Sequence, residues 1–123
     1  TGVYTTPGDA ETRYGSIFTA AWHASATTYE TMVSKDCTMQ EIQVEMRCAT
    51  AGTGENWSMY VRVNDATDYL IATISNTNIL RTWYNGSINI PLTAGDKWVI
   101  KSVTSTMATN PATCVLGGYA KFK

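Results

Sequence analysis

Two stretches of this sequence alternate between apolar and polar residues with a period of two. One runs from Ile42 to Cys48 and the other from Trp57 to Val63. Successive side chains of a β-strand point to opposite faces, so each stretch predicts a strand with one face on a core and the other in solvent. Cys37 and Met39 are out of phase with the first stretch, which predicts a β-bulge near Gln40–Glu41.

Turn-forming residues divide much of the chain into short segments. Asn85–Gly86 favours a tight turn because both residues tolerate positive φ, and Thr93–Asp96 predicts the next turn. Turns recur about every 8–12 residues, and no segment has the sustained 3.6-residue period of a helix. The pattern predicts an all-β, single-domain antiparallel sandwich or barrel of about eight or nine strands.

The first residues lack this alternation. Residues 1–15 are polar and rich in turn formers, with a bend at Pro7–Gly8–Asp9. We predict an extended N-terminal arm over 1–15 and the β-domain over 16–123. Such an arm gains order only through contacts that it makes elsewhere, for which Val3 and Tyr4 are the expected anchors. Deleting residues 1–10 is therefore expected to leave the domain folded.

The charge balance excludes several classes of partner. Only 15% of the 123 residues are charged, and nine Lys and Arg against ten Asp and Glu give a net charge of −1. Sequence-independent binding to nucleic acid or to an anionic membrane surface needs a surplus of positive charge. The apolar runs are far shorter than the roughly 20 residues that cross a bilayer. We expect neither a nucleic acid nor a membrane as partner.

The three cysteines cannot all pair within one chain. If Cys37 and Cys48 lie on one continuous strand, they are about 36 Å apart, which is too far for a disulfide. Cys114 then has either of them as a partner, and the sequence does not choose between the two. We favour buried free thiols over a disulfide.

A metal site is not expected, because there is no Cys-x-x-Cys spacing and His23 is the only histidine.

The sequence offers little for catalysis, so we predict a protein that is not an enzyme and needs no cofactor. His23 is the only imidazole base, and no Gly-x-Ser-x-Gly motif is present. Asp65, Asp68 and Asp96 fall in predicted turns, where Asp side chains bind nearby backbone N–H groups. A calcium site at Asn64, Asp65 and Asp68 is disfavoured, because calcium needs six or more oxygen ligands.

Two segments, Tyr69–Ile74 and Trp98–Val103, carry apolar residues in both phases. A strand of a two-layer sandwich buries one face, so a second apolar face needs a cover from elsewhere. This argument predicts a subunit interface that includes Tyr69, Ile71, Val99 and Val103. The alternative is that the N-terminal arm of the same chain covers these residues.

From Tyr60 onwards, the order of segments resembles that of the jelly-roll domains of phage virion proteins. The segments are Tyr60–Asn64, a turn, Leu70–Ile74, a loop, Ile88–Leu92, Ala94–Trp98 and a closing strand that ends at Phe122. The likeness extends over roughly Tyr14 to Phe122. Such domains sit at fibre tips and on capsid surfaces, and they look like the C1q and tumour-necrosis-factor sandwiches. Asp65 departs from the pattern, because the turn at this position often carries Gly.

The resemblance implies an antiparallel jelly-roll sandwich that assembles as a homotrimer on a phage particle. It brings no catalytic residues. Because the chain consists of this domain and a short arm, a capsid decoration (cement) subunit at the virion surface fits better than the tip of a long fibre. The implied partners are the major capsid protein or other virion proteins.

Two other functions stay open. One is a receptor-binding head of a tail fibre, and the other is a secreted carbohydrate-binding β-sandwich. The chain contains four Trp and seven Tyr, whose rings can stack on sugars. Trp83 and Tyr84, next to Asn85–Gly86, are the candidates for an exposed platform that binds a host surface glycan. The other interpretation of Trp83 is a rim residue of a subunit contact.

Overall fold

The computed structural model describes residues 3–4, 10–16, 22–25, 27, 30–50, 52–53, 56–75, 78–107 and 109–123. Within these ranges every regular element is a β-strand, and no helix there is long and apolar enough to span a bilayer. The strands are β1 (Val3–Tyr4), β2 (Thr12–Gly15), β3 (Trp22–His23), β4 (Thr31–Met32), β5 (Cys37–Thr50), β6 (Trp57–Val63), β7 (Thr67–Ile74), β8 (Leu80–Asn85), β9 (Ile90–Leu92), β10 (Lys97–Thr104) and β11 (Ala112–Phe122).

The strands form two antiparallel sheets that pack face to face. The first sheet has the order β1-β11-β5-β8, with β9 also paired to β5. The second sheet has the order β3-β2-β10-β6-β7, with β4 also paired to β10. Strands that are distant in sequence become neighbours in both sheets, as in a jelly roll. The predicted fold class, a single-domain antiparallel jelly-roll sandwich, is confirmed.

Three tryptophans fill the space between the sheets. Trp57, Trp83 and Trp98 are each at most 1% exposed. Trp57 and Trp83 meet edge-on with ring centroids 5.0 Å apart. The Trp83 indole N–H donates to the backbone oxygen of Trp57 at 2.9 Å, and the Trp57 indole N–H donates to Ser102 Oγ at 2.8 Å. The rings therefore bury a large apolar area without leaving these two donors unpaired.

The predicted bulge in β5 is confirmed at Gln40. Met39 and Glu41 pair with consecutive residues of β11, so Gln40 is the extra residue. The bulge brings Met39 into phase with Ile42, and both side chains are fully buried. Strand β5 thus keeps one continuous core face despite the break in its alternation.

A turn follows β8 at Gly86–Ser87, where the Ser87 N–H donates to Asn85 Oδ1 at 2.9 Å, but it is not the positive-φ turn predicted at Asn85–Gly86. Neither residue has positive φ, whereas Asn89, later in the same loop, has a φ of 48°. Strands β8 and β9 both pair with β5 rather than with each other. Between them, the Ile88 N–H donates to the Gln40 oxygen at 3.2 Å. The two strands form one interrupted edge along β5, and the interruption lies beside the β5 bulge.

A second bulge explains why β7 is apolar in both phases. Met59 pairs with Ala72 and Tyr60 pairs with Leu70, so Ile71 is the extra residue. The bulge shifts the phase of the strand, and residues on both sides of it reach the same core. Ile71 is 4% exposed, and Tyr69 packs against the core cluster. The two residues of β7 that were assigned to a subunit interface are therefore buried, for Ile71, and half-buried, for Tyr69, within one chain.

The two interface residues expected on β10 also lie within the single chain. Val99 is 1% exposed, and Val103 is half-buried. Arg62 is the register partner of Val99 on β6, and its guanidinium lies 6.0 Å from the centre of the Tyr14 ring. Long side chains from neighbouring strands can shield this outer face in the way a partner would. The reason for expecting a subunit interface at these residues does not hold.

Both described stretches of the expected N-terminal arm belong to the sheets. Val3 and Tyr4 pair with Val115 and Cys114 of β11 through their backbones. Strand β2 pairs with β10 along its whole length, and Gly15, at its end, is buried. The boundary expected at residue 15 therefore cuts through the sandwich. The side chains of Val3 and Tyr4, and the bend at Pro7–Gly8–Asp9, lie outside the described residues.

Cys48 and Cys114 form a disulfide, so the preference for free thiols was wrong for this pair. The two residues are register partners on β5 and β11 with a Cα–Cα distance of 3.9 Å. Cys37 lies on the same strand as Cys48, as assumed, and is free. Antiparallel pairing places the Cys48 and Cys114 side chains opposite each other on the core face.

We expect truncation to separate the two parts of the N-terminal region. Deleting residues 1–15 removes β2, whose four residues form a ladder with β10, and should destabilise the fold by several kcal/mol at about 1 kcal/mol for each bond. Deleting residues 1–9 removes, of the described structure, the short pairing of β1 with β11 and should cost far less. Urea denaturation measures both. Equal stability of the two truncations would contradict the integration of β2.

Replacing both disulfide partners, Cys48→Ala with Cys114→Ala, should also destabilise the protein. The bond spans 66 residues, and loop closure of that length corresponds to about 4 kcal/mol of restricted unfolded-state entropy. Cys37→Ala is the matched control and should cost much less. The check is the free energy of unfolding in urea. A double variant as stable as the control would show that the disulfide does not stabilise the sandwich.

Candidate functional site

The outer face of the first sheet exposes large apolar and aromatic side chains on two strands, β8 and β11, which flank β5. We call this surface the tyrosine face. The exposed fractions are 38% for Leu80, 49% for Tyr84, 44% for Val115 and 43% for Tyr119. They surround the polar residues of β5, namely Glu41, Gln43, Glu45 and Arg47.

The register of the sheet arranges these residues in rows. Tyr119 of β11 and Tyr84 of β8 are both partners of Gln43 on β5. Four residues further along β5, Val115 and Leu80 are both partners of Arg47. Side chains opposite each other in adjacent strands lie about 5 Å apart at their Cβ atoms. The face therefore has an aromatic row at one end and an aliphatic row at the other.

Glu41 links the two tyrosines. The phenol groups of Tyr84 and Tyr119 both donate hydrogen bonds to Glu41 Oε1, at 2.9 Å and 2.8 Å. The bond from Tyr119 and then the bond from Tyr84 lower the pKa of the Glu41 carboxyl below its usual value. The same bonds raise the pKa of each phenol. The three side chains form a hydrogen-bonded clasp across β8, β5 and β11.

Two glycines, Gly86 and Gly117, affect the shape of this surface. A Cβ on Gly86 would lie 2.5 Å from the Tyr84 hydroxyl, so only glycine lets that phenol lie close to the chain on its way to Glu41. A Cβ on Gly117 would meet nothing within 4 Å. Gly117 lines a shallow groove of about 330 Å³ with Glu45, Arg47 and Val115 among its walls.

The outer face of the second sheet has a different chemistry, because paired charges cover its centre. Arg62 binds Asp65 at 3.2 Å and Asp68 at 2.9 Å. Lys101 binds Asp68 at 2.6 Å. The pKa of the Asp68 carboxyl lies below its usual value, because the bonds from Lys101 and Arg62 outweigh its partial desolvation. Each of these charges has a partner, although Leu70 is exposed nearby.

The turn carboxylates that we considered for chemistry hold loops together. Asn64 and Asp65 have φ values of 52° and 54°, which identifies a type I′ turn without glycine. Asn64 Nδ2 donates to Asp96 Oδ1 at 3.0 Å, and the Thr93 N–H donates to Asp96 Oδ2 at 2.8 Å. Among the described residues, no three His, Cys, Asp or Glu side chains are placed to hold a metal ion.

The two residues of the predicted glycan platform, Trp83 and Tyr84, lie on opposite sides of the sheet. Trp83 is 0% exposed and belongs to the core, because even-numbered and odd-numbered residues of β8 face opposite sides of the sheet. It cannot stack on a sugar or line the rim of a contact. Tyr84 is exposed as predicted, but its neighbour on the surface is Tyr119 rather than Trp83. The side chain of His23 lies outside the described residues.

Sequence reasoning missed Tyr119 and Glu41. Tyr119 lies 78 positions from Glu41, and the two meet only because β11 pairs with β5. The alternation in β5 did place Gln43, Glu45 and Arg47 on its solvent face, which is a partial signal. Finding the aromatic row needs the strand order as well.

The clasp generates a prediction for the titration of Glu41. Tyr84→Phe and Tyr119→Phe each remove one phenol donor, so each should raise the pKa of the Glu41 carboxyl toward its usual value, and the double variant should raise it further. A lowered folded pKa means that the clasp stabilises the fold above the usual carboxyl pKa and loses this effect as the pH falls through the folded value. Carboxyl NMR titration measures the shift.

Tyr60→Phe is the matched control for that titration, since Tyr60 lies on the second sheet. It should leave the pKa of Glu41 where it is. The prediction fails if the double variant titrates like the wild type.

Comparison of the chain with protein-family models, with curated proteins and with solved structures finds no match.

Proposed function

We propose that this chain is a non-enzymatic structural protein of a phage virion surface, a capsid decoration subunit that assembles as a homotrimer through the tyrosine face. The observation that carries the proposal is the contrast between the two outer faces. Charges are paired over the centre of the second sheet, whereas the first sheet exposes Leu80, Tyr84, Val115 and Tyr119. Exposed aromatic and aliphatic side chains grouped around polar ones on one sheet face are typical of an interface.

The composition of the tyrosine face suits association with another protein. Interface cores are enriched in Tyr and Arg, and the polar groups at their rims form hydrogen bonds. Here the phenols are already bonded to Glu41, so a partner that covers the rings does not leave these donors unpaired. Arg47 is exposed beside Val115 and Leu80 and is available to bind a carboxylate or backbone oxygen of a partner.

The disulfide supports a location outside a reducing compartment. Disulfides persist in secreted proteins and on virion or cell surfaces, and they are rare in the cytosol. Cys48 and Cys114 are at most 1% exposed, so solvent reductants have little access to the bond. A buried staple of this kind is consistent with a protein that must stay folded on the surface of a particle.

The non-enzymatic part of the proposal is supported by the state of four described carboxylates. Asp65 and Asp68 are bound to Arg62, and Asp96 is bound to Asn64 and to a backbone N–H. Glu41 is held by two phenols. A general acid or base needs a pKa near the working pH, whereas the pKa values of Glu41, Asp68 and Asp96 are all lowered.

Placing a charge in the tyrosine face should break the assembly. Val115→Asp puts a carboxylate in the aliphatic row, where desolvation on association would cost more than the interface gains. We expect the wild type to sediment with the mass of three chains at micromolar concentration and the variant to sediment as a monomer with an unchanged unfolding midpoint. A monomeric wild type would contradict the proposal.

Leu70→Asp is the matched control, because Leu70 is 48% exposed on the second sheet. It should leave the trimer intact. Ile71→Asp, which the sequence pattern alone would select for dissociation, should instead unfold the chain, because Ile71 is buried in the core. If the Leu70→Asp variant dissociates and the Val115→Asp variant stays a trimer, the interface lies on the second sheet and not on the tyrosine face.

A second candidate function is glycan binding at the same surface. The Tyr84 and Tyr119 rings lie beside a carboxylate and the Gln43 amide, which is a suitable arrangement for the apolar face and hydroxyl groups of a sugar. This function requires the rings to stay accessible, so it excludes assembly through them. A screen of bacterial surface glycans, with Tyr119→Ala as the negative control, distinguishes the two. A Tyr119-dependent hit on a monomeric wild type favours the glycan.

A further inference from the structure

A separate cavity opens at one end of the sandwich, between the two sheets. Its volume is about 300 Å³, and its lining comes from the segment Thr31–Lys35, the start of β5, the start of β10 and the end of β11. No residue of the tyrosine face lines it. The volume is at the lower limit of ligand-binding pockets in proteins.

Most of the surface inside this cavity is apolar. Trp98 is 1% exposed and Phe122 is 39% exposed, and their ring centroids are 6.1 Å apart at an interplanar angle of 51°. Val33 lies beneath the opening, and Met32 stands at it with 60% of its surface exposed. A ligand that covers Met32 and Phe122 would remove this apolar area from water, which favours binding of a hydrocarbon group.

One charge defines the polar end of the site. Among the described residues of the lining, Lys35 is the one charged side chain, and Thr31 and Ser34 add hydroxyl groups. The adjacent Asp36 does not line the cavity, and its carboxylate accepts a hydrogen bond from the Ala94 N–H at 2.9 Å. Since the described part of the lining carries a cation and no carboxylate, an anionic head group is favoured over a cationic one.

We propose that this cavity binds an amphiphile of the fatty-acid class, with its hydrocarbon chain against Trp98 and Phe122 and its carboxylate at Lys35. A volume of about 300 Å³ holds roughly ten heavy atoms at about 30 Å³ each, which matches the hydrocarbon part of a medium-length fatty acid whose carboxylate lies at the opening. The site is independent of the tyrosine face and of the assembly proposed for it.

Decanoate, used below its micelle concentration, is the probe for the site. We expect decanoate to bind to the purified protein in calorimetry and to change the tryptophan fluorescence. Lys35→Glu should weaken its binding about fivefold or more, the scale of one exposed charge interaction. The cationic analogue decyltrimethylammonium should show the opposite preference between wild type and variant. Lys121→Glu, a charge reversal outside the lining, is the matched control and should bind decanoate like the wild type.

A filled cavity provides a second test. Ser34→Phe places a ring at an exposed position of the lining and should abolish decanoate binding without changing the unfolding midpoint. Ser87→Phe, in a distant loop, is the control and should bind decanoate like the wild type.

Cys37 lines the cavity and has a free thiol, so decanoate should slow its alkylation by iodoacetamide. Absence of binding, or equal binding in Ser34→Phe, overturns the proposal.

One further outcome would also overturn it. If the alkylation of Cys37 slows as the protein concentration rises in the absence of decanoate, a second copy of the chain covers the cavity.

Discussion

The register of β5 between β11 and β8 is the constraint on which the rest of the structure depends. One face of β5 supplies fully buried core residues such as Ile42 and Val44. The same pairing sets Cys48 opposite Cys114 and Gln43 between Tyr84 and Tyr119. A slip of one residue would turn the core face outward and separate the disulfide partners. The fold, the disulfide and the candidate site therefore all depend on the register of these three strands.

The two bulges determine which apolar side chains of β5 and β7 face the core and which face solvent. Without the extra residue at Gln40, Met39 would point away from the core. Without the extra residue at Ile71, β7 would have the second apolar face that its sequence suggests. In both strands the bulge places apolar side chains inside one chain. On the outer face of the first sheet, Val115, Tyr119 and Tyr84 stay exposed, and this is the surface that we propose for a partner.

The strand pattern, the fold class and the bulge at Gln40 could be predicted from sequence, because alternation and its breaks are local properties. The packing of Tyr69 and Ile71 against the core of one chain could not be predicted, since a bulge inside an apolar run leaves no break in the pattern, as at Ile71. The disulfide and the Tyr84–Glu41–Tyr119 clasp join distant parts of the chain and require the strand order. Trp83 was misassigned because the expected turn at Asn85–Gly86 suggested a position at the rim, whereas alternation in β8 directs the ring into the core.

The central claim is that the tyrosine face is covered when the protein is assembled. Hydroxyl-radical footprinting of the individual tyrosines, at protein concentrations below and above assembly, tests it most directly. The account predicts that oxidation of Tyr84 and Tyr119 falls on assembly, while that of Tyr14 and Tyr60 on the second sheet does not change. Equal oxidation of Tyr84 and Tyr119 at both concentrations, with protection of Tyr14 or Tyr60 instead, would contradict it.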